Sequence, residues 1–205
     1  MSEFDAKARD WDKNQRFIDR SEAVADVILQ TIPLRHGMKA LEYGSGTALL
    51  SFALKDQFAE ITLMDNSREM TAVTSEKIAA GNIKNMKPLF FDLEHEDFDD
   101  KFDIIYSQMV MHHVKDVDAM LVKFHSLLNP GGYLAIADLY TEDGSFHGDG
   151  FDGHLGFDAE VMAKKLSNIG FKETAHQTCF VITRTEDDGR ETKYPIFLLT
   201  ASVPA

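Results

Sequence analysis

The chain has 205 residues, 44% of them hydrophobic, which is enough to form one packed domain without disulfides or a structural metal. Its 21 Lys and Arg stand against 34 Asp and Glu, and the resulting net charge of −13 disfavours binding to nucleic acid or to anionic membranes. The single cysteine, Cys179, excludes an internal disulfide and a multi-cysteine metal site. We expect a cytoplasmic protein, because no apolar run reaches the roughly 18 residues of a membrane span and the N-terminus lacks the pattern of a signal peptide.

The predicted elements begin with a helix and then alternate between strands and helices. Apolar residues at helical spacing predict helices over residues 14–30, 47–58, 66–81, 116–128 and 158–170. Short apolar runs predict strands over residues 38–43, 61–64, 86–91, 102–107, 133–139, 178–183 and 194–200. A turn at 129–132, a loop at 141–156 and a hairpin signal at Asp188 and Gly189 separate the later elements.

Three polar residues are predicted to cap helices at their N-termini. Asn66 precedes the third helix, and Glu69 stands three residues later, where a capping box places a carboxylate. Asp116 and Asp158 precede the next two helices. These caps predict where the connecting loops end.

The alternation of strands and helices predicts an α/β fold with a doubly wound, mostly parallel sheet of seven strands. Right-handed crossovers place a helix between parallel neighbours, and the two last strands add an antiparallel terminal hairpin. We expect one domain, with a helical cap segment over residues 1–36 and a core over residues 37–205. Sheets of this kind bind ligands at the carboxyl ends of their strands, where the strand order reverses.

Two glycines and an acid follow the first two predicted strands. Gly44 and Gly46 allow a tight turn and a close approach of a ligand to the backbone, although a plain strand-to-helix turn is the alternative. Asp65 can accept hydrogen bonds from both hydroxyls of a ribose or, alternatively, cap the next helix. A dinucleotide-binding fingerprint has a third glycine where this chain has Leu49, so the pattern favours a nucleoside ligand without phosphates.

Four motifs stand in order between residues 38 and 139. They are Glu42-x-Gly44-x-Gly46, Asp65, Phe-Asp-Leu-Glu at 91–94 and Leu-Asn-Pro-Gly-Gly at 128–132. In this set and order the chain resembles the class I S-adenosylmethionine-dependent methyltransferases. The resemblance implies a Rossmann-like sheet, S-adenosylmethionine as the cofactor and S-adenosylhomocysteine as its product.

The resemblance implies roles at the methionine end of the cofactor for four residues. Gly44 and Gly46 would lie against the methionine part, and Glu42 would orient their turn near the amino group. Ser107, after the fourth strand, would face the same part of the cofactor.

The resemblance also implies the residues that hold the nucleoside. Asp65 would hold the ribose with Asn66 beside it, Asp92 would accept from the adenine amine, and the backbone of Leu93 would contact the ring. The alternative for Asp92 is a place in a solvated acidic face, since acids recur over residues 92–103.

Two adjacent histidines follow the fourth strand and are the candidate general bases. A base is needed only when the acceptor must lose a proton, and an imidazole near neutral pKa can take it. His112 and His113 fit this place, and the alternative is a structural role for either; in the family the second histidine is often a packing residue.

The loop after the fifth strand is rich in glycine, histidine and aspartate. Four of its side chains are of types that ligate metals, His147, His154, Asp149 and Asp152, but their spacing matches no ligand motif and we predict no metal site. A mobile substrate lid and a plain surface loop are the alternatives for this loop.

The N-terminal segment 4–12, with Trp11, resembles the family's cofactor-covering segment. The alternative is that the segment anchors on the sheet.

The sequence therefore predicts a methyltransferase that acts on a small-molecule acceptor at oxygen, nitrogen or carbon. A NAD-dependent oxidoreductase of the same layered fold is disfavoured by Leu49 and by the absence of a Tyr-x-x-x-Lys pair. A non-catalytic S-adenosylmethionine-binding protein stays open, as do the acceptor and the oligomeric state.

Overall fold

Seven strands and six helices make up the computed structural model, which describes residues 3–185 and 189–205. The strands are β1 Lys39–Tyr43, β2 Glu60–Asp65, β3 Met86–Phe90, β4 Phe102–Gln108, β5 Leu128–Leu139, β6 Lys172–Thr185 and β7 Glu191–Ser202. The helices are α1 Glu3–Lys7, α2 Gln15–Thr31, α3 Leu49–Leu54, α4 Arg68–Ala80, α5 Val117–Leu127 and α6 Ala159–Ile169. No helix among these described residues is long and apolar enough to cross a membrane.

All seven strands form one sheet in the order β3-β2-β1-β4-β5-β7-β6. The pairs β1–β2, β2–β3, β1–β4 and β4–β5 are parallel, whereas β7 runs antiparallel to both β5 and β6. The predicted doubly wound, mostly parallel sheet with a terminal hairpin is confirmed. The strand order reverses between β1 and β4, so the ligand-binding crevice is expected at their carboxyl ends.

Apolar side chains on the two faces of the sheet form two separate core clusters. In β4, Ile105 packs with the cluster that contains α5 and α6, while Ile104 and Tyr106 pack with the cluster that contains α2 and α3. Alternate residues of a strand point to opposite faces, so a strand buried on both faces reads as a continuous apolar run.

One of the predicted helix caps is wrong. Ser67 caps α4, because its hydroxyl accepts from the backbone N–H of Met70 at 3.2 Å, and Asn66 lies one residue before the cap. Glu69 therefore stands too early to complete a capping box. The backbone N–H of Ser67 donates to Asp65 Oδ1 at 2.8 Å, so the preceding strand end fixes where the helix begins. Asp116 and Asp158 cap α5 and α6, as the sequence predicts.

The last strands are longer than their apolar runs. β6 and β7 extend beyond the predicted 178–183 and 194–200, because strand pairing continues into polar residues at both ends. β5 begins at Leu128, where a turn at 129–132 was expected, since Leu128 already pairs with Phe102. Asp188 of the hairpin signal lies outside the described residues, and Gly189 has a φ of +81°.

Candidate active site

A cavity of about 720 Å³ opens at the carboxyl ends of β1 to β4. Its walls come from the loops that follow these strands, from the N-terminal segment and from α2. The volume falls within the roughly 300–1,000 Å³ of small-molecule sites. The cavity therefore stands where the strand order predicts a ligand.

The turn after β1 forms the floor of this cavity and depends on its two glycines. Gly44 has a φ of +67°, and a Cβ atom there would collide with both methyl groups of Val110. Gly46 has a φ of +52° but more room, since a Cβ would meet only Met70 Sδ at 3.9 Å. Left-handed backbone without side chains leaves the turn open to a ligand.

Asp65, at the end of β2, joins this turn to the start of α4. Its Oδ2 accepts from the backbone N–H of Gly46 at 2.6 Å and its Oδ1 accepts from that of Ser67 at 2.8 Å. Burial raises the pKa of this carboxyl, although both hydrogen bonds favour its ionised form. Each oxygen keeps a lone pair for a ligand hydroxyl, and Asn66 lines the cavity beside it.

Glu42 is the most deeply buried acid of the cavity wall, with 3% of its surface exposed. Ser51 donates a hydrogen bond to its carboxylate and is 2.6 Å from the hydroxyl of Tyr106. Burial nevertheless raises the pKa of Glu42 to about 8, because desolvation of the charged form outweighs that hydrogen bond. At neutral pH the free protein holds this carboxyl mainly protonated.

Asp92 and Leu93 line the cavity after β3. Asp92 accepts from the backbone N–H of Glu94 at 3.1 Å and lies 2.9 Å from His95 Nδ1, while Leu93 is fully buried. Asp92 is thus partly turned into the cavity rather than simply a member of a solvated face.

The N-terminal segment covers one side of the cavity and is fixed on α4. Phe4 and Trp11 line the cavity, with their rings 6.2 Å apart. Asp5 accepts from the Ser67 hydroxyl at 2.6 Å, and Lys77 donates to Asp12 at 2.6 Å. The segment is therefore anchored on α4 rather than on the sheet, and the covering of a cofactor by Trp11 stays a prediction.

His112 is held by an aspartate that the sequence analysis missed. Its Nδ1 lies 2.7 Å from Oδ1 of Asp138, near the end of β5, and both side chains are buried. Asp138 also accepts from the backbone N–H groups of His112 and Leu139. A carboxylate so placed accepts a hydrogen bond from Nδ1–H, which keeps the proton on Nδ1 and leaves Nε2 unprotonated. An acid near the end of an apolar strand was the available signal, the one that identified Asp65.

His113 is packed among rings. It lies edge-on to Phe4 and Phe151, with ring centroids 5.2 and 5.4 Å away. Burial, with the neighbouring His112 and His147, lowers the pKa of His113 to about 4. Such an imidazole is neutral at pH 7 and a weak base.

The loop after β5 does not bring its four candidate ligands together. His154 Nε2 lies 3.0 Å from the carbonyl oxygen of Val114, and Asp152 accepts from Lys115. Instead His147 joins His112 and His113, with one ring nitrogen of each within 4.8 Å of the others. Zn–N bonds of about 2.1 Å require closer nitrogens, so the side chains would have to move to share an ion.

The end of β4 presents Gln108 to the cavity rather than the expected Ser107. Ser107 is buried and does not line the cavity, while Gln108 lines it. Arg20 and Ser21 of α2 line the same wall. None of these three cavity residues was predicted, because polar residues inside an amphipathic helix or at a strand end carry no local signal of a site.

Several of the proteins similar to this chain are named as methyltransferases. The chain is 29% identical over 175 residues to an uncharacterized methyltransferase of Schizosaccharomyces pombe, covering 70% of this chain and 62% of that protein's length. The matched part of this chain therefore spans less than two thirds of the length of that relative. The fold matches the YcgJ protein of Bacillus subtilis, with a TM-score of 0.71 and 16% identity, covering 89% of this chain and 98% of that one.

A second solved structure is a phosphoethanolamine N-methyltransferase 2 of Haemonchus contortus in complex with S-adenosylhomocysteine. Its TM-score is 0.69 at 16% identity, and the match covers 88% of this chain and 52% of that one. The family model described as a methyltransferase domain matches residues 15–186. The resemblance indicated by the motifs is confirmed at the level of the family, and no comparison supports an oxidoreductase. The chain belongs to the methyltransferase-domain family.

Proposed function

We propose that this protein is an S-adenosylmethionine-dependent methyltransferase that acts on a small molecule. The observation that carries the proposal is that one cavity is lined both by the acids at the carboxyl ends of β1 to β3 and by His112, which Asp138 orients. The acids suit a cationic nucleoside cofactor, and the pair of His112 and Asp138 suits an acceptor that loses a proton.

The residues present fit the cofactor. S-adenosylmethionine carries an ammonium and a sulfonium, and the buried Glu42 is an acid with no cation paired to it among the described residues. We assign Gly44 and Gly46 to the methionine part, with Glu42 beneath its amino group. Ser107 stands behind the wall, so this proposal gives it no contact with the cofactor.

Residues of the same cavity wall can hold the nucleoside part of the cofactor. We assign Asp65 and Asn66 to the ribose hydroxyls, and Asp92 with the backbone of Leu93 to the adenine. Asp65 acts twice in this proposal, since the carboxylate that would accept from the ribose also holds the Gly46 backbone in place.

The bound cofactor supplies a methyl group on a positively charged sulfur, which is already an activated leaving group. The chain's own task is to align the acceptor and to accept its proton. We propose that Nε2 of His112 takes this proton, while Asp138 fixes the tautomer and stabilises the imidazolium that forms. His113, whose pKa is about 4, packs the wall.

The acceptor is a small molecule in this proposal, because a cavity of about 720 Å³ has to hold it together with the cofactor. The N-terminal segment also covers one side, which supports our division into a helical cap over 1–36 and a core over 37–205. The net charge of −13 argues against nucleic acid and anionic membranes as partners.

Two measurements test the proposal. S-adenosylhomocysteine should raise the Tm whereas NAD should not, and the opposite result would overturn the cofactor assignment. A panel of metabolites, read out as release of S-adenosylhomocysteine, should identify an acceptor. Binding of S-adenosylhomocysteine without turnover of any acceptor would favour the non-catalytic alternative.

A further inference from the structure

Arg20 is a buried cation on the cavity wall. It lies in α2 with 6% of its surface exposed, and its Nε has no hydrogen-bond partner among residues 3–185 and 189–205. No carboxylate in those ranges forms an ion pair with it, and its guanidinium lies 5.0 Å from the Phe17 ring. Burial lowers its pKa to about 10, so it is still charged at pH 7.

An unpaired buried charge is costly to a fold. Transfer of a cation out of water is offset only by a counter-charge and by hydrogen bonds to its donors. The nearby Asp138 raises the pKa of Arg20 through its charge, but this carboxylate is bonded to His112. The free donors of Arg20 therefore face the cavity without an acid from the chain.

Gln108 places a second unsatisfied polar group on the same wall. The hydroxyl of Ser21 donates to the carbonyl oxygen of Phe17 at 2.8 Å, so it can only accept from Gln108 Nε2, which lies 2.9 Å away. The amide orientation is thereby fixed. Gln108 Oε1 is left buried and without a hydrogen-bond partner in the described part of the chain.

These two groups stand on the acceptor side of the cavity. The acids assigned to the cofactor lie at the carboxyl ends of β1, β2 and β3, whereas Gln108 ends β4 and Arg20 lies near Asp138 of β5. The sulfonium and ammonium of the cofactor match these acids, and its one carboxylate belongs to the methionine part, which we assign to the turn after β1. The wall formed by Gln108 and Arg20 offers a cation instead. A different ligand group, of negative charge, matches it.

We propose that Arg20 determines acceptor specificity by binding an anionic oxygen group of the methyl acceptor, a carboxylate or a phosphate. Gln108 Oε1 accepts a hydrogen bond from an O–H or N–H group of the same molecule. The guanidinium fork matches either oxyanion with two parallel hydrogen bonds. One guanidinium neutralises the single negative charge of a carboxylate but only part of the charge of a phosphate, so a carboxylate matches Arg20 better. This inference rests on the proposed methyl transfer.

The test uses matched probes on the full chain with S-adenosylhomocysteine bound. Benzoate and phenyl phosphate share a ring with the neutral benzamide, and we expect at least one anion to raise the Tm while benzamide does not. Arg20→Met should abolish this shift. Arg16→Met is the control, because Arg16 is exposed one turn earlier on the same helix.

Turnover of the acceptor found in the metabolite panel completes the test. Arg20→Met should lower kcat/KM for an acidic acceptor about 100-fold or more, with S-adenosylhomocysteine affinity within threefold of the wild type. The Tm of the free Arg20→Met protein should be unchanged or higher, because an unpaired buried charge is removed.

Three outcomes would overturn the inference. They are a wild-type enzyme whose acceptors are all neutral, equal Tm shifts for benzamide and both anions, and an Arg20→Met variant that loses S-adenosylhomocysteine affinity while keeping its acceptor KM. The last would assign Arg20 to the carboxylate of the cofactor. A wild type that neither binds S-adenosylhomocysteine nor methylates any acceptor contradicts the proposed function instead, so the two failures differ.

Discussion

His112 and Asp138 form a buried hydrogen-bonded pair, with Nδ1 and Oδ1 2.7 Å apart, between the loop after β4 and the end of the neighbouring β5. The carboxylate accepts from one imidazole N–H and two backbone N–H groups, which fixes both its position and the histidine tautomer. His112 lines the same cavity as the residues that we propose for the cofactor.

Asp138→Asn should lower kcat roughly 100-fold, because Asp138 is a positioning residue whose loss permits the wrong tautomer. The measurement is the pH dependence of kcat together with S-adenosylhomocysteine affinity. We expect the acidic limb of the profile, where protonation of the base stops turnover, to move and the affinity to stay. Asp149→Asn, on the exposed part of the following loop, is the control. An unchanged pH profile would remove His112 from the chemistry.

Cofactor binding should release a proton from Glu42. The pKa of this carboxyl is about 8 in the free protein, so at pH 7 it is mainly protonated, and a bound ammonium lowers that pKa. Titration calorimetry in two buffers of different ionisation enthalpy should show up to about one proton released per S-adenosylhomocysteine. Glu42→Gln should abolish the release, and its persistence in that variant would contradict the assignment.

The same pKa gives Glu42 a signature in the free protein. Its folded pKa lies above its ordinary value of 4.5, so the folded state binds more protons than the unfolded state between the two values. The contribution of Glu42 to stability is then complete below about pH 4.5 and is lost as the pH rises through about 8. Glu42→Gln should flatten the fall in the free energy of unfolding over this range.

Asp65→Ala should weaken S-adenosylhomocysteine binding by about 1–3 kcal/mol, because ribose hydroxyls would lose their acceptor. The variant should also have a lower Tm without ligand, since the backbone N–H groups of Gly46 and Ser67 lose their hydrogen-bond acceptor. Asp97→Ala, at a side chain that is 99% exposed, is the control. Unchanged affinity in Asp65→Ala would remove Asp65 from the site.

Gly44→Ala should cost roughly 1–3 kcal/mol of unfolding free energy, because a Cβ atom at a φ of +67° would overlap the Val110 methyl groups. Denaturant unfolding checks this. Adding Val110→Ala should recover part of the loss by removing the clash. Gly37→Ala, where a Cβ would meet nothing within 4 Å, should stay close to the wild type.

Turnover should survive EDTA, because in the proposed mechanism the sulfonium is an activated leaving group and the acceptor proton passes to His112. Added Zn²⁺ should inhibit, since small side-chain movements would let His112, His113 and His147 share an ion and so occupy the base. His147→Gln should weaken this inhibition. Loss of activity in EDTA, restored by a divalent ion, would overturn the metal-free mechanism.

The sequence by itself determined the features that depend on neighbours along the chain. The period of apolar residues along the chain distinguishes a strand from a helix within a few residues. Because Gly44, Gly46 and Asp65 stand at the ends of two predicted strands, the sequence also predicted that they lie at the crevice. The order of these motifs also indicated the family. Helix caps are nearly as local, and the mistake at Asn66 arose because Asp65 reaches forward to the Ser67 backbone.

Tertiary structure decided which distant side chains meet. His112 and Asp138 stand 26 residues apart in the sequence and Ser21 and Gln108 stand 87 apart, and only the pairing of β4 with β5 and the packing of α2 bring them together. A lone aspartate in an apolar strand or an arginine in an amphipathic helix has no periodic signature. The role of Asp138 follows from its contact with His112 and that of Arg20 from burial without a partner, and both are properties of the folded chain alone.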